Sequence, residues 1–198
     1  MSSRPDPSRR VAFEVLRAVT ESGAYANLLL PERLRDAGLS GRDAAFATEL
    51  TYGTLRRQGS YDAIWAACAG RPAERVDDRV RDLLRVGAHQ VFFMAVPGHA
   101  AVSTTVEPAK RNGRRSAAGF VNAVLRRMAE SSWREWMARL SGELAPGSDA
   151  DLALRHSHPS WLVAELRRAL EADGRAGVAD LLAADNEPAA LTLAARPP

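Results

Sequence analysis

Apolar residues recur at helical spacing along almost the whole chain. Val11, Ala12, Val15, Leu16 and Val19 share one face of a first helix, opened by Pro7-Ser8 and closed by Ser22-Gly23. Leu28, Leu29, Leu30 and Leu34 mark a short second helix that stops at Gly38. Ser40 with Asp43 resembles a capping box and predicts a third helix. Its inward residues are Ala44, Phe46, Ala47, Leu50 and Leu55, and it ends near Arg56-Arg57-Gln58-Gly59. A fourth helix runs from Ser60 to Ala69, with Gly70 past its end. Asp77 to Ala95 reads as the longest, with Val80, Leu83, Leu84, Ala88, Val91 and Phe92 inward, until Pro97-Gly98 breaks it. Ala100 to Arg111 is a sixth. Ser116 to Ala129 is a seventh, capped by Ser116 and burying Phe120, Val121, Val124 and Leu125.

The remainder is helical in a different manner. Trp133 and Trp136 start a short helix, and Ala145-Pro146-Gly147-Ser148 is a loop. His158-Pro159 opens another helix, with Pro159 first and Trp161, Leu162, Leu166 and Leu170 on the apolar face. Val178, Leu181 and Leu182 belong to a last one, and Ala190-Leu191-Thr192-Leu193 reads as the first strand of a following domain, which implies a truncated chain. No alternation of period two persists in the helical body. The expected fold is all-α: about seven core helices in two sub-bundles joined near Arg71, followed by a C-terminal helical connector. The expected divisions are 1–130, 131–187 and 188–198.

Charge adds direction to this picture. The 198 residues carry a net charge of only +3, unevenly placed. Residues 1–140 hold 22 basic and 15 acidic side chains, a balance of +7, and residues 141–198 hold 5 and 9, a balance of −4. The body is therefore the part that suits a polyanion. Its densest basic stretch is KRNGRRSAAGFVNAVLRRM, with Lys110, Arg111, Arg114, Arg115, Arg126 and Arg127 and no acid. Cations flanking an apolar helical block suit a phosphate backbone. Arg9 and Arg10, at the start of a helix where cations are disfavoured by the dipole, and Arg56 and Arg57 complete a candidate composite surface. Any one arginine alone reads better as solvated surface; the cluster as a whole reads as a nucleic-acid contact. The near-exclusive use of arginine, with Lys110 the one lysine, is also what a GC-rich genome produces.

Other chemistry is sparse. The single cysteine, Cys68, rules out an internal disulfide and sits in an apolar run, as a buried structural thiol does. No glycine-rich phosphate loop follows a strand, and no nucleophile–base set has a supporting context. His156 and His158 read as helix entry rather than metal ligands, and His89 as a hydrogen-bonded core histidine. Asn122 reads as bonding a buried backbone group, and Tyr52-Gly53 as a close helix approach. No apolar run reaches membrane-spanning length, and the first residues form no signal peptide, so the cytoplasm is expected. The residues alone describe a binding module.

RRVAFEVLRAV, AYANLLL, GLSGRDAAFATELTYGTLRR, DDRVRDLLRVGAHQVFFM and GFVNAVLRRM occur in an order that resembles the NusB-like RNA-binding domain. The resemblance is closest to that domain at the N-terminus of the bacterial RsmB/Sun family of 16S rRNA cytosine-C5 methyltransferases, and covers about Arg9 to Met128. HSHPSWLVAEL and DNEPAALTL resemble the connector to that enzyme's later domains. The resemblance implies an RNA-docking domain for 16S ribosomal RNA. It also implies a following Rossmann-like domain that binds S-adenosylmethionine and carries paired catalytic cysteines, neither of which is Cys68. It gives this chain no catalytic residue and no cofactor of its own. Pro108 departs from the family pattern and is expected to kink or restart the sixth helix. Two other functions stay open: a NusB-type transcription antitermination factor that binds RNA with a ribosomal protein, and a protein-interaction module with merely solvated arginines.

Overall fold

A computed structural model describes residues 6–94, 96 and 115–188, without the side chains of Arg115 and Ser116. The described residues form helices α1 (Pro7–Ser22), α2 (Ala26–Asp36), α3 (Gly41–Arg56), α4 (Gln58–Ala69), α5 (Asp78–Phe93) and α6 (Arg115–Met128). Then follow α7 (Trp133–Ser141), α8 (Asp149–His156), α9 (Ser160–Ala172) and α10 (Val178–Asp185). There is no strand among them, and the chain is all-α as its periodicity predicts. The expected sixth helix with Pro108, and the strand at Ala190–Leu193, lie outside the described residues.

Local signals set most boundaries. Asp6 caps α1 by accepting the backbone N–H of Ser8 and Arg9, Pro7 needs no partner at the first position, and Gly23 ends the helix at φ 65°. Ser40 makes no side-chain bond to α3, contrary to the expected capping box. Asp43 is one methylene shorter than the glutamate such a box uses. The box forms instead at Ser132 and Glu135, where α7 begins. Helix α8 was not anticipated: it is only eight residues long, and Ser148 starts it by accepting the Asp151 N–H. Pro159 stands one residue before α9 rather than at its first position. On that helix Val163 is fully buried while Trp161 is 66% exposed, and on α2 only Leu30 is buried while Leu28 is exposed. A run of leucines cannot all face one side of a helix.

Two cores share the body. Val11, Val15 and Leu30 join α1 to α2, and Ala12, Leu16, Leu50 and Val86 join α1, α3 and α5. Tyr61, Ile64, Trp65, Leu84, Val121, Leu125, Met128 and Trp136 form the larger core of α4 to α7. The seam therefore runs at Arg57, between α3 and α4, rather than near Arg71. Glycines set the closest approaches. A Cβ on Gly53 would lie 2.2 Å from His89 Cε1, and one on Gly87 would lie 2.5 Å from Leu125 Cδ1. The tight packing expected at Tyr52-Gly53 is thus the contact of α3 with α5.

An ionic seam crosses the body. Asp82 is fully buried and accepts from Arg17 (2.9 Å), Thr20 (3.0 Å) and Arg85 (3.2 Å). Arg85 also grips Asp62 of α4 through two bonds of 2.6 and 2.8 Å. Burial pushes the Asp82 carboxyl up, against the pull of Arg85 and Arg17.

The C-terminal helices have their own small core of Leu152, Val163, Val178 and Leu182. They are fastened to the body by Ser157, a non-glycine residue at φ 60°. Its hydroxyl oxygen accepts the backbone N–H of Gly59 (2.8 Å) and Ser60 (3.2 Å), capping α4 from 98 residues away. Ser60 in turn donates to the Leu154 carbonyl (2.6 Å), and Trp136 Nε1 to the Met128 carbonyl (2.9 Å). Arg57, which precedes α4, supplies no side-chain cap, so Ser157 satisfies donors that would otherwise be orphaned.

Candidate nucleic-acid interface

The candidate cations occupy three kinds of place. Arg9 lies on the first turn of α1 and turns inward: it pairs with Asp6, its Nε donates to Gln90 Oε1 (2.7 Å), and its guanidinium sits 4.7 Å over the Phe46 ring. It joins α1 to α3 and α5, which explains a cation at a helix start without RNA. Arg10 is exposed and faces Glu14 at 3.4 Å. Such a pair contributes little to stability.

Arg56 and Arg57 form the α3–α4 junction. Arg57 lies 4.4 Å over the ring of Phe93, and Arg56 lines a cleft of about 670 Å³ with Thr48, Glu49, Tyr52, Leu55, Glu187 and Pro188. Two carboxylates against one cation make that cleft a poor phosphate track. Arg9 and Arg57 meet α5 at Gln90 and Phe93, one turn apart at its C-terminal end, where the helix dipole favours cations.

Arg126 and Arg127 are exposed in the last turn of α6. Arg127 Nη1 donates to the Cys68 carbonyl (3.0 Å), closing the end of α4. Lys110, Arg111 and Arg114 lie outside the described residues, and Arg115 starts α6. With a rise of about 1.5 Å per residue, Arg115 and Arg126 stand about 16 Å apart. Of the described part of the basic stretch, Arg115 starts the helix and Arg126 and Arg127 end it.

The junction rests on a buried aromatic base. His89 is fully buried, with Nδ1 2.8 Å from the Tyr61 hydroxyl and Nε2 3.2 Å from Glu49 Oε1. A carboxylate only accepts, so Nε2 carries the proton and donates to Glu49, while Tyr61 donates to Nδ1. Burial pulls His89 down to about 4; Glu49 opposes this, and Arg57 and Arg56 reinforce it. Burial also raises the Tyr61 hydroxyl well above its ordinary value. Burial pushes the Cys68 thiol up to about 11, so it is inert at neutral pH.

Phe93 and Trp133 were not singled out for function by sequence reasoning. Phe93 falls one position outside the apolar phase of α5, and that misfit is the signal it offered. Phe120, expected to be buried, is half-buried and covered by Arg71 at 4.4 Å; Asn122 is half-buried as well. His158 Nε2 lies 3.8 Å from Asp185. Among the described residues no three His, Cys, Asp or Glu side chains could hold a metal ion, and no helix is long and apolar enough to cross a membrane.

Residues 6–130 match the NusB family. The chain belongs to the NusB family. A chain of the crystal structure of antitermination factors NusB and NusE in complex with dsRNA superposes with a TM-score of 0.56 and 24% identity, over 63% of this chain and 95% of that one. That likeness shows the fold. Two curated relatives extend further. A Mycobacterium tuberculosis protein provisionally named a methyltransferase is 48% identical over 97% of this NusB-family chain and 42% of its own length. The Ribosomal RNA small subunit methyltransferase B of Pseudomonas putida is 34% identical over 80% of this chain and 34% of its own length. The chain thus spans less than half the length of these relatives.

Proposed function

We propose that this NusB-family chain docks 16S ribosomal RNA for an S-adenosylmethionine-dependent cytosine-C5 methyltransferase domain of a longer cytoplasmic protein. The observation that carries the reading is the reach of the methyltransferase relatives. Their similarity runs through the C-terminal helices, over 97% of the chain for the M. tuberculosis protein, whereas the NusB–NusE structure covers 63%. This favours a methyltransferase component over an antitermination factor working with a ribosomal protein. On this reading residues 1–130 contact RNA, 131–187 connect, and 188–198 lead into the next domain.

S-adenosylmethionine does not fit the residues at hand. The described residues offer no strand followed by a glycine-rich turn, and the sequence has one cysteine; on this reading the methyl donor and the catalytic thiols belong to another part of the longer protein. What this chain supplies is placement. On this reading Arg10, Arg57, Lys110, Arg111, Arg114, Arg115, Arg126 and Arg127 are the cations that meet phosphate, Arg56 beside Glu49 and Glu187 contributes least, and Arg9 holds α1 in position. Cations at several helix ends of one packed body bind a folded RNA without pairing to its sequence.

The test is a titration of the chain with a fragment of 16S ribosomal RNA at several salt concentrations, with the Arg114→Gln/Arg115→Gln variant alongside. The chain binds, more weakly as salt rises, and the variant loses affinity and part of the salt dependence. Binding that ignores salt, or no binding, contradicts the proposal. Incubation of the chain with the RNA and labelled S-adenosylmethionine gives no methyl transfer.

A further inference from the structure

Phe93, the last residue of α5, is 39% exposed although it ends a helix that is otherwise buried for most of its length. Its ring is fixed from the inside. The His89 ring stacks near-parallel to it (5.8 Å, 21°), and the Trp133 ring meets it edge-on (5.0 Å, 64°). Tyr61 stands 6.4 Å away. The Arg57 guanidinium covers the ring at 4.4 Å. Among the described residues no carboxylate pairs with Arg57. Glu49 accepts from His89 at 3.2 Å.

An aromatic ring at the surface, braced by His89 and Trp133 and with a cation lying on it, offers two things together: a π-face and a positive charge that no carboxylate among the described residues pairs with. We propose that Phe93 is a stacking platform for one unpaired nucleobase of single-stranded RNA, which replaces the Arg57 guanidinium on the ring and leaves Arg57 to bind an adjoining phosphate. The proposal deepens the RNA-docking reading and rests on it.

The exchange is favourable on general grounds. An exposed cation–π contact is weaker than stacking of a base on an aromatic ring. His89 and Trp133 hold the ring, so little ordering entropy is lost when the base arrives. The displaced guanidinium exchanges one weak contact for a charge-assisted bond to phosphate. Stacking is tolerant of sequence because every base has a π-face, so the platform selects for an unpaired base rather than for a particular one. A peptide aromatic would gain the ring but not the charge; a nucleotide uses both.

The experiment is a fluorescence-anisotropy titration of the chain with a short, labelled, single-stranded oligoribonucleotide at three salt concentrations. Phe93→Leu keeps the apolar contact with Trp133 and removes the π-face. It lowers affinity about tenfold at every salt, the loss expected for one stacked base, and leaves the salt slope unchanged. Phe93→Trp restores binding. Arg57→Gln instead flattens the slope by about 0.7, the loss of one phosphate contact. If the unmodified chain binds with salt dependence but Phe93→Leu binds equally well, the platform is overturned and RNA docking stands. A Phe93→Trp variant as weak as Phe93→Leu also overturns it, because the ring then serves packing alone. If the unmodified chain binds no RNA at all, the docking reading itself falls.

Discussion

Arg17 and Arg85 lie in the seam of α1, α4 and α5, where Asp82 and Asp62 hold them at 2.6 to 3.2 Å. Arg57 and Arg126 stand at helix ends, and among the described residues no carboxylate pairs with either. The residue type is the same and the burial differs. A buried guanidinium requires a carboxylate, since an unpaired charge in the interior is costly. A guanidinium resting on an aromatic face or at a helix end keeps its donors free for an outside anion. Sequence counts do not separate these sets, because both are arginines on amphipathic helices. The seam takes two aspartates and two arginines out of solvent together, so it leaves the balance of the remaining charge unchanged.

The sharpest way to break the comparison is to remove the central carboxylate. Asp82→Ala leaves Arg17 and Arg85 buried without their shared partner and should cost about 3–5 kcal/mol in urea unfolding. A loss below about 1 kcal/mol would mean that the seam is no more structural than the helix ends. Gly53→Ala forces a methyl group into the His89 ring and should cost about 1–3 kcal/mol.

The same histidine sets a pH dependence. Its folded value, about 4, lies below its ordinary 6.5, so between these limits the unfolded chain binds the extra proton. Stability is therefore full above about 6.5 and declines as pH falls toward about 4. Unfolding free energies measured across that window should fall with acidification, and His89→Gln should flatten that part of the curve. Asp151 adds a second loss at lower pH. Burial alone would raise it, but bonds from Ser141, the Gly147 N–H and Arg155 hold it at about 2, so its contribution disappears as pH falls from about 4 toward 2. At the small end, Arg126→Gln should shift stability by less than about 0.5 kcal/mol, as exposed substitutions do, while weakening RNA binding.

Helices with strong periodicity and clear punctuation were legible in the sequence. Pro7-Ser8 and Ser22-Gly23 bracket α1, although the cap itself is Asp6, and the apolar face of α5 announced itself through Val80, Leu83, Leu84 and Ala88. Helix α8 was not legible, because eight residues between a Pro-Gly loop and a histidine pair give too few turns for a pattern to stand out. The long-range cap from Ser157 to α4 was invisible for another reason: an αL serine has no sequence signature of its own, and its partners lie 98 residues away. The candidate site was legible as composition and not as geometry. Lys110 to Arg127 reads as one basic stretch, yet helical rise parts Arg115 from Arg126. Arg9, read as surface, faces Gln90 and Phe46. Phe93 was passed over because it lies outside the inward face of α5, and no periodicity announces its contact with Arg57.

The most direct measurement is the slope of log Kd against log salt concentration for a 16S ribosomal RNA fragment, compared between the chain and an Arg57→Gln/Arg126→Gln variant. If cations free of carboxylates are the ones that meet phosphate, the variant keeps its unfolding midpoint and its slope falls by about 1.4, two contacts at about 0.7 each. An unchanged slope in a folded variant would contradict the account and return these arginines to solvated surface.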